Sequence, residues 1–400
     1  MKRKLLLLAM CITSMAWLTA YAGETEPNDT KATANTLALN TSNTGAVGIA
    51  GDADWWKVTT TGDGKLDLTL AISNGLNAWC QLYDNDGTTL LGQGYTAGTA
   101  MVVSKDGLAA GTYYLKIYAF YAAELPAYTI TNALTQPVQA NDSEPNNTKA
   151  QAKTLNLNND KTGHINYYYN NLKDSFDWYK VTTNADGRLR ITMTSHNTQN
   201  VWAELYDNDG TTQLAASYTA GSAVVVNKDG LAAGTYYIRV RTFYTSEWAP
   251  YTIADSLFVP TEPNDTEPND TKAQALTLGL NGSVTGHINY YYNLLRDGYD
   301  WYKVTTNADG RLRLTMTSGN GQNVWAELYD NDGTTQLAGS YTAGSAVVVN
   351  KDGLAAGTYY IRVRTFYTSE WAPYTLADSL FTPTQANDNE PNDTKAQATP

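Results

Sequence analysis

The sequence predicts an all-β protein made of three tandem antiparallel β-sandwiches, and three observations carry this prediction. The pair Asp-Trp at 54–55 recurs at 177–178 and at 300–301, each time 123 residues further on. Within a repeat, apolar and polar residues alternate with a period of two, as in RLRITMT at 188–194. Gly- and Asn-containing turn signals such as NADG at 184–187 separate these runs, which is typical of short strands in a sandwich.

The repeats set the predicted domain boundaries. Residues 1–22 read as a secretory signal peptide, with a basic start, an apolar stretch and an Ala-Tyr-Ala cleavage site. The predicted sandwiches cover residues 23–135, 142–258 and 265–381, and residues 382–400 form a linker and the start of a fourth repeat. A repeat of this length is large enough to bury a core of its own. Residues 177–258 and 300–381 differ at five positions, which indicates a recent duplication and an array of similar domains.

Composition narrows the possible partners. The formal net charge is −12, and the chain has 27 basic against 39 acidic residues. Nucleic acid is therefore an unfavourable partner, because phosphate binding requires clustered Lys and Arg. After signal cleavage Cys80 is the one remaining cysteine, so we expect a small buried thiol and a fold that needs no disulfide.

An acidic, proline-containing phrase opens each repeat. It reads ETEPNDT at 24–30, DSEPNNT at 142–148 and DTEPNDT at 265–271, and it begins again at 388–394. Two Asp residues follow about 25 positions later. Calcium prefers six to eight hard oxygen ligands with tolerant geometry, whereas zinc prefers His or Cys. The alternative is a solvated acidic linker whose Asn and Thr cap a turn. The candidate metal ligands are Glu24, Glu26, Asn28, Asp29, Asp52, Asp54, Asp142, Glu144, Asn146, Asn147, Asp174, Asp177, Asp265, Glu267, Asn269, Asp270, Asp297 and Asp300.

In each repeat the phrase EPN[DN]T is followed by the Asp-Trp motif, then by YDNDGTT, LAAGTYY and a final PYT or AYT. This order of motifs resembles the bacterial pre-peptidase C-terminal (PPC) domain, and also the collagen-binding domains of secreted bacterial collagenases. The resemblance implies a calcium-binding, jelly-roll-like sandwich whose metal lies between the acidic phrase and the later Asp pair. Two departures predict weaker sites. Asp52 and Asp54 are two residues apart instead of three, and Asn147 replaces an Asp in repeat two.

The YDNDGTT run at 83–89, 206–212 and 329–335 faintly resembles a calcium loop of the EF-hand type. However, Leu82 stands where the first ligand would be, and no Glu closes the loop. A hairpin turn, with Gly supplying a positive φ, is the favoured interpretation.

Aromatic residues form the candidate ligand-binding set. Exposed Tyr and Trp suit sugars or extended peptides, since they combine an apolar ring with a polar tip. The alternative, slightly favoured, is that these rings pack between neighbouring repeats or cover the end of the sandwich. The candidates are Tyr167, Tyr168, Tyr169, Tyr244, Trp248, Tyr290, Tyr291, Tyr292, Tyr367 and Trp371.

The alternation also predicts an outward face on the middle strands of repeat two. Trp202, Glu204 and Tyr206 fall on that face, as do Arg239 and Arg241. Cross-strand pairing of Arg with Glu is the simpler interpretation, and a mixed binding face is the alternative.

No pattern of catalytic residues occurs: the chain has three His and contains neither HExxH nor GxSxG. We therefore expect no enzymatic activity in these 400 residues. The favoured function is a secreted, calcium-binding array that serves as an extracellular or cell-surface adhesive or structural stalk. One alternative is the accessory, substrate-binding region of a larger secreted peptidase whose catalytic domain lies beyond Pro400. Another is a subunit of a self-assembling filament. The expected partners are an extracellular protein, a polysaccharide or copies of the chain itself, with no nucleic acid and no membrane span.

Overall fold

The computed structural model describes residues 23–96, 98–219, 223–342, 346–385 and Thr394. The predicted signal peptide and nearly all of the fourth acidic phrase lie outside these residues. The described chain is all-β apart from three short 3-10 helices, Lys31–Thr33, Lys149–Gln151 and Lys272–Gln274. In this part of the chain, no helix has the length and apolar character needed to cross a membrane.

Repeat one contributes nine strands. They are β1 Asn35–Thr36, β2 Ser42–Ala46, β3 Ala53–Thr59, β4 Gly64–Ile72, β5 Ala78–Tyr83, β6 Leu90–Tyr95, β7 Met101–Leu108, β8 Thr112–Ala119 and β9 Ala127–Thr135. One sheet has the strand order β1-β3-β8-β5-β6, and the facing sheet contains β7-β4-β9-β2.

Repeat two contributes eleven strands, since it carries two short additional ones. They are β10 Lys153–Thr154, β11 Asp160–Ile165, β12 Tyr168–Tyr169, β13 Leu172–Lys173, β14 Asp177–Thr182, β15 Gly187–Ser195, β16 Val201–Tyr206, β17 Gln213–Thr219, β18 Ala223–Leu231, β19 Thr235–Thr242 and β20 Ala249–Phe258. The sheets are β10-β14-β19-β16-β17 and β11-β20-β15-β18.

Repeat three repeats that pattern. Its strands are β21 Leu276–Thr277, β22 Ser283–Ile288, β23 Tyr291–Tyr292, β24 Leu295–Arg296, β25 Asp300–Thr305, β26 Gly310–Ser318, β27 Val324–Tyr329, β28 Gln336–Thr342, β29 Val347–Leu354, β30 Thr358–Thr365 and β31 Ala372–Phe381. The sheets are β21-β25-β30-β27-β28 and β22-β31-β26-β29. The three predicted sandwiches are thus confirmed.

The additional short strands of repeats two and three, β12-β13 and β23-β24, do not belong to the sheets of their own repeat. The hairpin β12-β13 extends the β7-β4-β9-β2 sheet of repeat one, and β23-β24 extends the β18 edge of repeat two. By its internal contacts the chain divides into two compact units. The first contains the chain up to Asn141 together with His164–Ser175 and Thr245–Pro250, and the second contains the remainder. The hairpin of repeat two is therefore part of the unit built on repeat one.

The period-two alternation fills each core as expected. Along β15 the side chains of Leu189, Ile191 and Met193 are fully buried, while the residues between them are at least partly exposed. Alternate side chains of a strand point to opposite sheet faces, so one face packs inward and the other meets solvent. Cys80 is also fully buried, and burial raises the pKa of its thiol to about 12. The expectation of a small buried thiol is confirmed.

The outward face of β16 differs from the expectation. The cross-strand pair is present, because Arg239 Nε lies 2.6 Å from Glu204 Oε2. However, Glu204 is only 3% exposed and Tyr206 only 6%. The Arg239 guanidinium also lies over the rings of Trp178 and Tyr206, and this outer layer covers the carboxylate. The period of two predicts which face a residue occupies, whereas its exposure depends on long neighbouring side chains.

Candidate functional site

The acidic phrase of repeat three converges on its later Asp pair. Asp265, Glu267 and Asp300 each offer a carboxylate oxygen, and these oxygens lie within 4.8 Å of one another. Glu267, Asp270 and Asp297 form a second such trio. The two trios share Glu267, so five carboxylates form two adjoining groups at the start of the sandwich. Such a concentration of negative charge is a candidate site for a divalent cation.

Several buried oxygen atoms at this site lack a hydrogen-bond partner, and they indicate whether a cation fits. In repeat three, Oδ1 of Asp265, Asn269, Asp297 and Asp300 is buried and has no hydrogen-bond partner within the described protein. A buried polar oxygen without a partner is costly and rare in folded proteins. Four of them in one cluster are accounted for if they are ligand atoms. The donor set contains carboxylate and amide oxygens only, which suits a hard cation.

In Asp265 and Asp300 the Oδ2 atom accepts hydrogen bonds, and these bonds fix the orientation of the Oδ1 atom. The hydroxyl of Tyr374 donates to Asp300 Oδ2 at 2.5 Å, and Tyr302 donates to Asp265 Oδ2. The side-chain amide of Asn269 also donates to Asp265 Oδ2, at 2.6 Å. Both tyrosines come from the sandwich core, so the fold itself aims the remaining oxygens at the cluster.

Repeat one builds a similar cluster with the equivalent tyrosine anchor. Glu24, Glu26 and Asp54 form one trio, and Glu26, Asp29 and Asp52 form the other. Tyr128, on strand β9, donates its hydroxyl hydrogen to Asp54 Oδ2 at 2.6 Å. The Oδ1 atoms of Asp54 and of the intervening Asn28 are buried without a partner.

The shorter Asp spacing of repeat one does not separate its two Asp residues from the cluster. Asp52 accepts hydrogen bonds from the backbone amides of Gly48 and Ala53, at 2.7 and 2.9 Å. It still belongs to the second trio. That this site is weaker than that of repeat three stays a prediction.

Repeat two has a single carboxylate trio among the described residues. Asp142, Glu144 and Asp177 form it, and Asn146 Oδ1 is buried without a partner. Asn147 occupies the position of Asp29 and Asp270, and this removes one formal charge. Asp174 belongs to the first compact unit, whereas the trio belongs to the second. The lower charge is consistent with the expected weaker site.

Burial shifts the pKa of the clustered carboxyl groups upward. In repeat one it raises the pKa of Glu24 to about 7 and that of Asp54 to about 8, with nearby acidic groups adding to the shift. In repeat three, burial and then the charge of Glu267 raise the pKa of Asp297 to about 9. Burial, and then the charge of Asp297, holds the pKa of Asp300 well above its usual range. Without a cation, these groups favour the protonated form.

The candidate ligand-binding tyrosines of repeat two lie against the sandwich of repeat one. We call β12, β13 and the turn between them, residues 168–173, the tyrosine hairpin of repeat two. Tyr168 pairs in parallel with Leu108, and the ring of Tyr169 packs edge-on against Tyr113 with centroids 5.7 Å apart. The turn amides of Asn170 and Asn171 donate to Asp84 Oδ1 and Oδ2 at 3.0 and 2.8 Å. Tyr167 precedes the hairpin and is itself buried.

Repeat three docks its own tyrosine hairpin, residues 291–296, on repeat two in the same way. Tyr291 pairs with Leu231, and Tyr292 packs edge-on against Tyr236 at 5.7 Å. The turn amides at 293 and 294 donate to the two carboxylate oxygens of Asp207 at 3.0 and 2.8 Å. Tyr290 is buried next to this hairpin.

Each hairpin enters a defined receiving surface, which we call the socket. Its members are a buried Asp, the end of an edge strand, two glycines and a tyrosine. In repeat one they are Asp84, Gly107, Leu108, Ala109, Gly111 and Tyr113, and in repeat two Asp207, Gly230, Leu231, Ala232, Gly234 and Tyr236. Gly111 and Gly234 are required sterically, because a Cβ would lie 2.1 Å from the Tyr169 ring at Gly111 and 2.2 Å from the Tyr292 ring at Gly234. Gly107 and Gly230 instead face Trp248 and Trp371.

The remaining candidate aromatics divide into packed and exposed rings. Trp248 lies over Gly107 and Trp371 over Gly230, each within 2.5 Å of where a Cβ would be. Tyr244 and Tyr367 are each 55% exposed and contact the preceding Phe edge-on at 4.7 Å. Of the ten candidates, these two tyrosines are the most accessible to an external ligand.

Sequence reasoning missed the role of Asp84 and Asp207. Both belong to the YDNDGTT run, which does form the expected turn with a positive φ at Gly87 and Gly210. Asp86 accepts the amides of the turn, at Thr88 and Thr89, as such a turn requires. The carboxylates of Asp84 and Asp207 are instead fully buried beneath a hairpin from the next repeat. Their pairing partners lie about 86 residues away, which no local pattern reveals.

Comparison with solved structures adds distant likenesses. The pre-peptidase C-terminal domain of collagenase from Bacillus anthracis is 18% identical, covers 29% of this chain and is itself covered completely, with a TM-score of 0.24. The lysozyme inhibitor PliG of Aeromonas hydrophila is 18% identical over 27% of this chain and 97% of its own, with a TM-score of 0.20. A putative secreted protein from Parabacteroides distasonis is 8% identical over 55% of this chain and 90% of its own, with a TM-score of 0.25. Scores this low carry no argument about function.

The family comparison is more decisive. No curated protein matches the chain. The model of the bacterial pre-peptidase C-terminal domain matches residues 52–119, 175–242 and 298–365, one match in each sandwich and together just over half of the chain. The chain therefore belongs to the bacterial pre-peptidase C-terminal domain family and carries this domain three times in tandem.

Proposed function

We propose that the chain is a secreted, calcium-stabilised array of PPC domains that acts as a structural stalk outside the cell. The observation that carries this proposal is the recurrence, at the start of every sandwich, of an acidic cluster that contains buried oxygen atoms without a hydrogen-bond partner. A site that recurs three times in one chain suits a role in architecture better than a single specialised reaction. We accordingly propose that these residues hold a metal and do not catalyse a reaction.

Calcium is the cation that best matches the donors. In repeat three the cluster offers five carboxylates and the side-chain oxygen of Asn269. Calcium takes six to eight oxygen ligands with tolerant geometry, whereas magnesium requires a near-ideal octahedron and keeps several waters. Zinc prefers His or Cys, and neither occurs in the carboxylate trios of the described chain. When bound, calcium supplies compensating charge, and the protein supplies a preformed set of oxygens.

The contacts made by the aromatic residues favour a structural stalk over a ligand-binding module. Tyr169 and Tyr292 are taken up by contacts with the sandwich of the preceding repeat. A hairpin that completes a neighbouring sheet links repeats through backbone hydrogen bonds as well as ring packing. The same tyrosines are therefore not available as an open binding face.

Substitution of a hairpin tyrosine tests the stalk directly. We expect Tyr292→Ala to destabilise the array by about 2 kcal/mol, since a partly buried ring that contacts Tyr236 and Gly234 is lost. Tyr367→Ala is the matched control, and we expect a change within about 0.5 kcal/mol because that ring is largely exposed. Urea denaturation of both variants measures the difference. Equal stability of the two variants would contradict a structural role for the hairpin.

An accessory region of a secreted peptidase is the second candidate, and the family name supports it. Such a region would bind substrate, and the accessible rings of Tyr244 and Tyr367 are its best candidates. The stalk predicts no saturable binding of the full chain to collagen, casein or common polysaccharides. Saturable binding that is lost in Tyr367→Ala, with unchanged folding, would favour the accessory role instead.

Calcium affinity is expected to rise with pH. The folded-state pKa values of about 7 for Glu24, about 8 for Asp54 and about 9 for Asp297 lie above their unfolded values near 4. The calcium-free fold therefore binds protons that the unfolded chain has released, so its stability falls as pH rises from about 4 to about 9. Calcium must displace these protons. Calorimetric titration should show weaker binding and more proton release at about pH 6 than at about pH 8.5. An affinity independent of pH would contradict ligation by these carboxylates.

A further inference from the structure

The socket of repeat three lies open in the described chain. Its members are Asp330, Gly353, Leu354, Ala355, Gly357 and Tyr359, each 123 residues after its counterpart in repeat two. Asp330 is exposed, whereas Asp84 and Asp207 are fully buried. Tyr359 is 7% exposed, whereas Tyr113 and Tyr236 are at 0%. No described atom lies within 4 Å of a Cβ built at Gly353.

The contacts that fill the first two sockets define what the third one can accept. In each filled socket one carboxylate receives two consecutive turn amides, at 3.0 and 2.8 Å. Both turn residues have a positive φ, as a two-residue hairpin turn requires. The amides of Ala109 and Ala232 each donate to a tyrosine carbonyl of the hairpin at 3.0 Å. The ligand of a socket is thus a tight hairpin with a flanking tyrosine pair, recognised mainly through its backbone.

We propose that the socket of repeat three binds the tyrosine hairpin of a further PPC domain. The proposal rests on continuity with two interfaces of the same construction within this chain, and it does not depend on calcium. All six members of the open socket are the same residue types as in the filled ones. Asp330 offers the carboxylate, Ala355 the backbone donor, and Gly353 and Gly357 the space for the aromatic rings. A hairpin docked there would add a strand to the free edge of β29.

A second copy of this chain is a less suitable donor. The hairpins at 168–173 and 291–296 are already docked on repeats one and two. One of them would have to leave its own socket to enter another, so no net contact would be gained. A domain that carries a hairpin with no preceding partner has no such cost. The occupant we commit to is therefore an additional domain of the same family.

The test compares hydrogen exchange in two proteins. The first is the full chain, in which we expect the amide of Ala355 to exchange at least about tenfold faster than that of Ala232. The second is a four-repeat protein in which a copy of residues 272–381 follows Thr394, so that the fourth acidic phrase leads into a complete domain. Tethering gives the added hairpin a millimolar effective concentration. We expect the Ala355 amide to become at least about tenfold slower in the four-repeat protein.

Two variants identify the interaction. Asp330→Asn in the four-repeat protein should restore fast exchange at Ala355, because it removes one of the two carboxylate oxygens that accept turn amides. Asp352→Asn is the matched control, an exposed Asp on the same domain, and should leave the protection unchanged. Failure of the four-repeat protein to protect Ala355, or protection that survives Asp330→Asn, would overturn the proposal. If the Ala355 amide of the unextended chain is protected in a concentration-dependent way, the socket binds a second copy. If that protection does not depend on concentration, a segment of the same chain fills the socket. Either result would also overturn it.

Discussion

Calcium is expected to raise the melting temperature of the chain by about 10 °C, and a chelator to reverse the effect. A ligand that binds only the folded state adds about 2.7 kcal/mol per site at a hundredfold excess over Kd. For a domain of this size, each kcal/mol corresponds to a few degrees. The gain arises because the cation pairs with buried oxygens that otherwise lack a partner. Calorimetry of the full chain in millimolar calcium and in EDTA provides the measurement.

Magnesium is the control for this experiment. At the same concentration we expect a much smaller shift, since magnesium does not readily accept an all-protein ligand set of this size. Metal analysis of the purified chain should find calcium retained after gel filtration. Superimposable melting curves with and without calcium, together with no bound calcium, would remove the metal from the proposed function.

The effect of the substitution Asp300→Asn on stability is expected to be destabilising in calcium and neutral or stabilising in EDTA. In millimolar calcium it should lower the stability of repeat three by about 2–3 kcal/mol, since the site loses a ligand and with it most of the binding free energy. In EDTA the same variant should be at least as stable as the parent. There the carboxyl is buried, lies beside Asp297 and Asp265, and has a pKa well above its usual range. In EDTA the fold must keep this carboxyl protonated at neutral pH, whereas the amide of Asn is neutral without that cost and can still accept the hydrogen bond from Tyr374.

Matched variants distinguish the loss of a metal ligand from a general loss of stability. Asp352→Asn, on the surface of the same domain, should be neutral in both conditions. Asp177→Asn makes the equivalent change in repeat two, where one carboxylate trio is present, and a smaller loss in calcium is expected there. Equal destabilisation by Asp300→Asn with and without calcium would show that Asp300 has a packing role and does not bind the metal.

The acidic site shows how much of a binding site can be predicted from a sequence pattern. The phrase at 265–271 and the Asp pair at 297–300 both appear in the sequence, and the structure brings them within 4.8 Å of one another. Their convergence was predictable because an Asp pair follows the acidic phrase in each of the three repeats. The unpaired oxygens were not predictable. The orientation of the Asp300 carboxylate depends on Tyr374, which donates to its Oδ2 and lies 74 residues further along the chain.

By itself, the sequence determined the strands, the three repeats and the acidic clusters. The strands follow from features within a few residues, since alternation assigns the sheet face and Gly or Asn marks the turns. The repeats and the acidic clusters follow from motifs that recur along the chain. The tertiary structure decided how the repeats are joined. Asp84 and Asp207 belong to the same YDNDGTT run as Asp330, yet two are buried under a hairpin and one is exposed. Identical local sequence cannot encode that difference. It depends on whether a hairpin from a distant part of the chain is present to fill the socket.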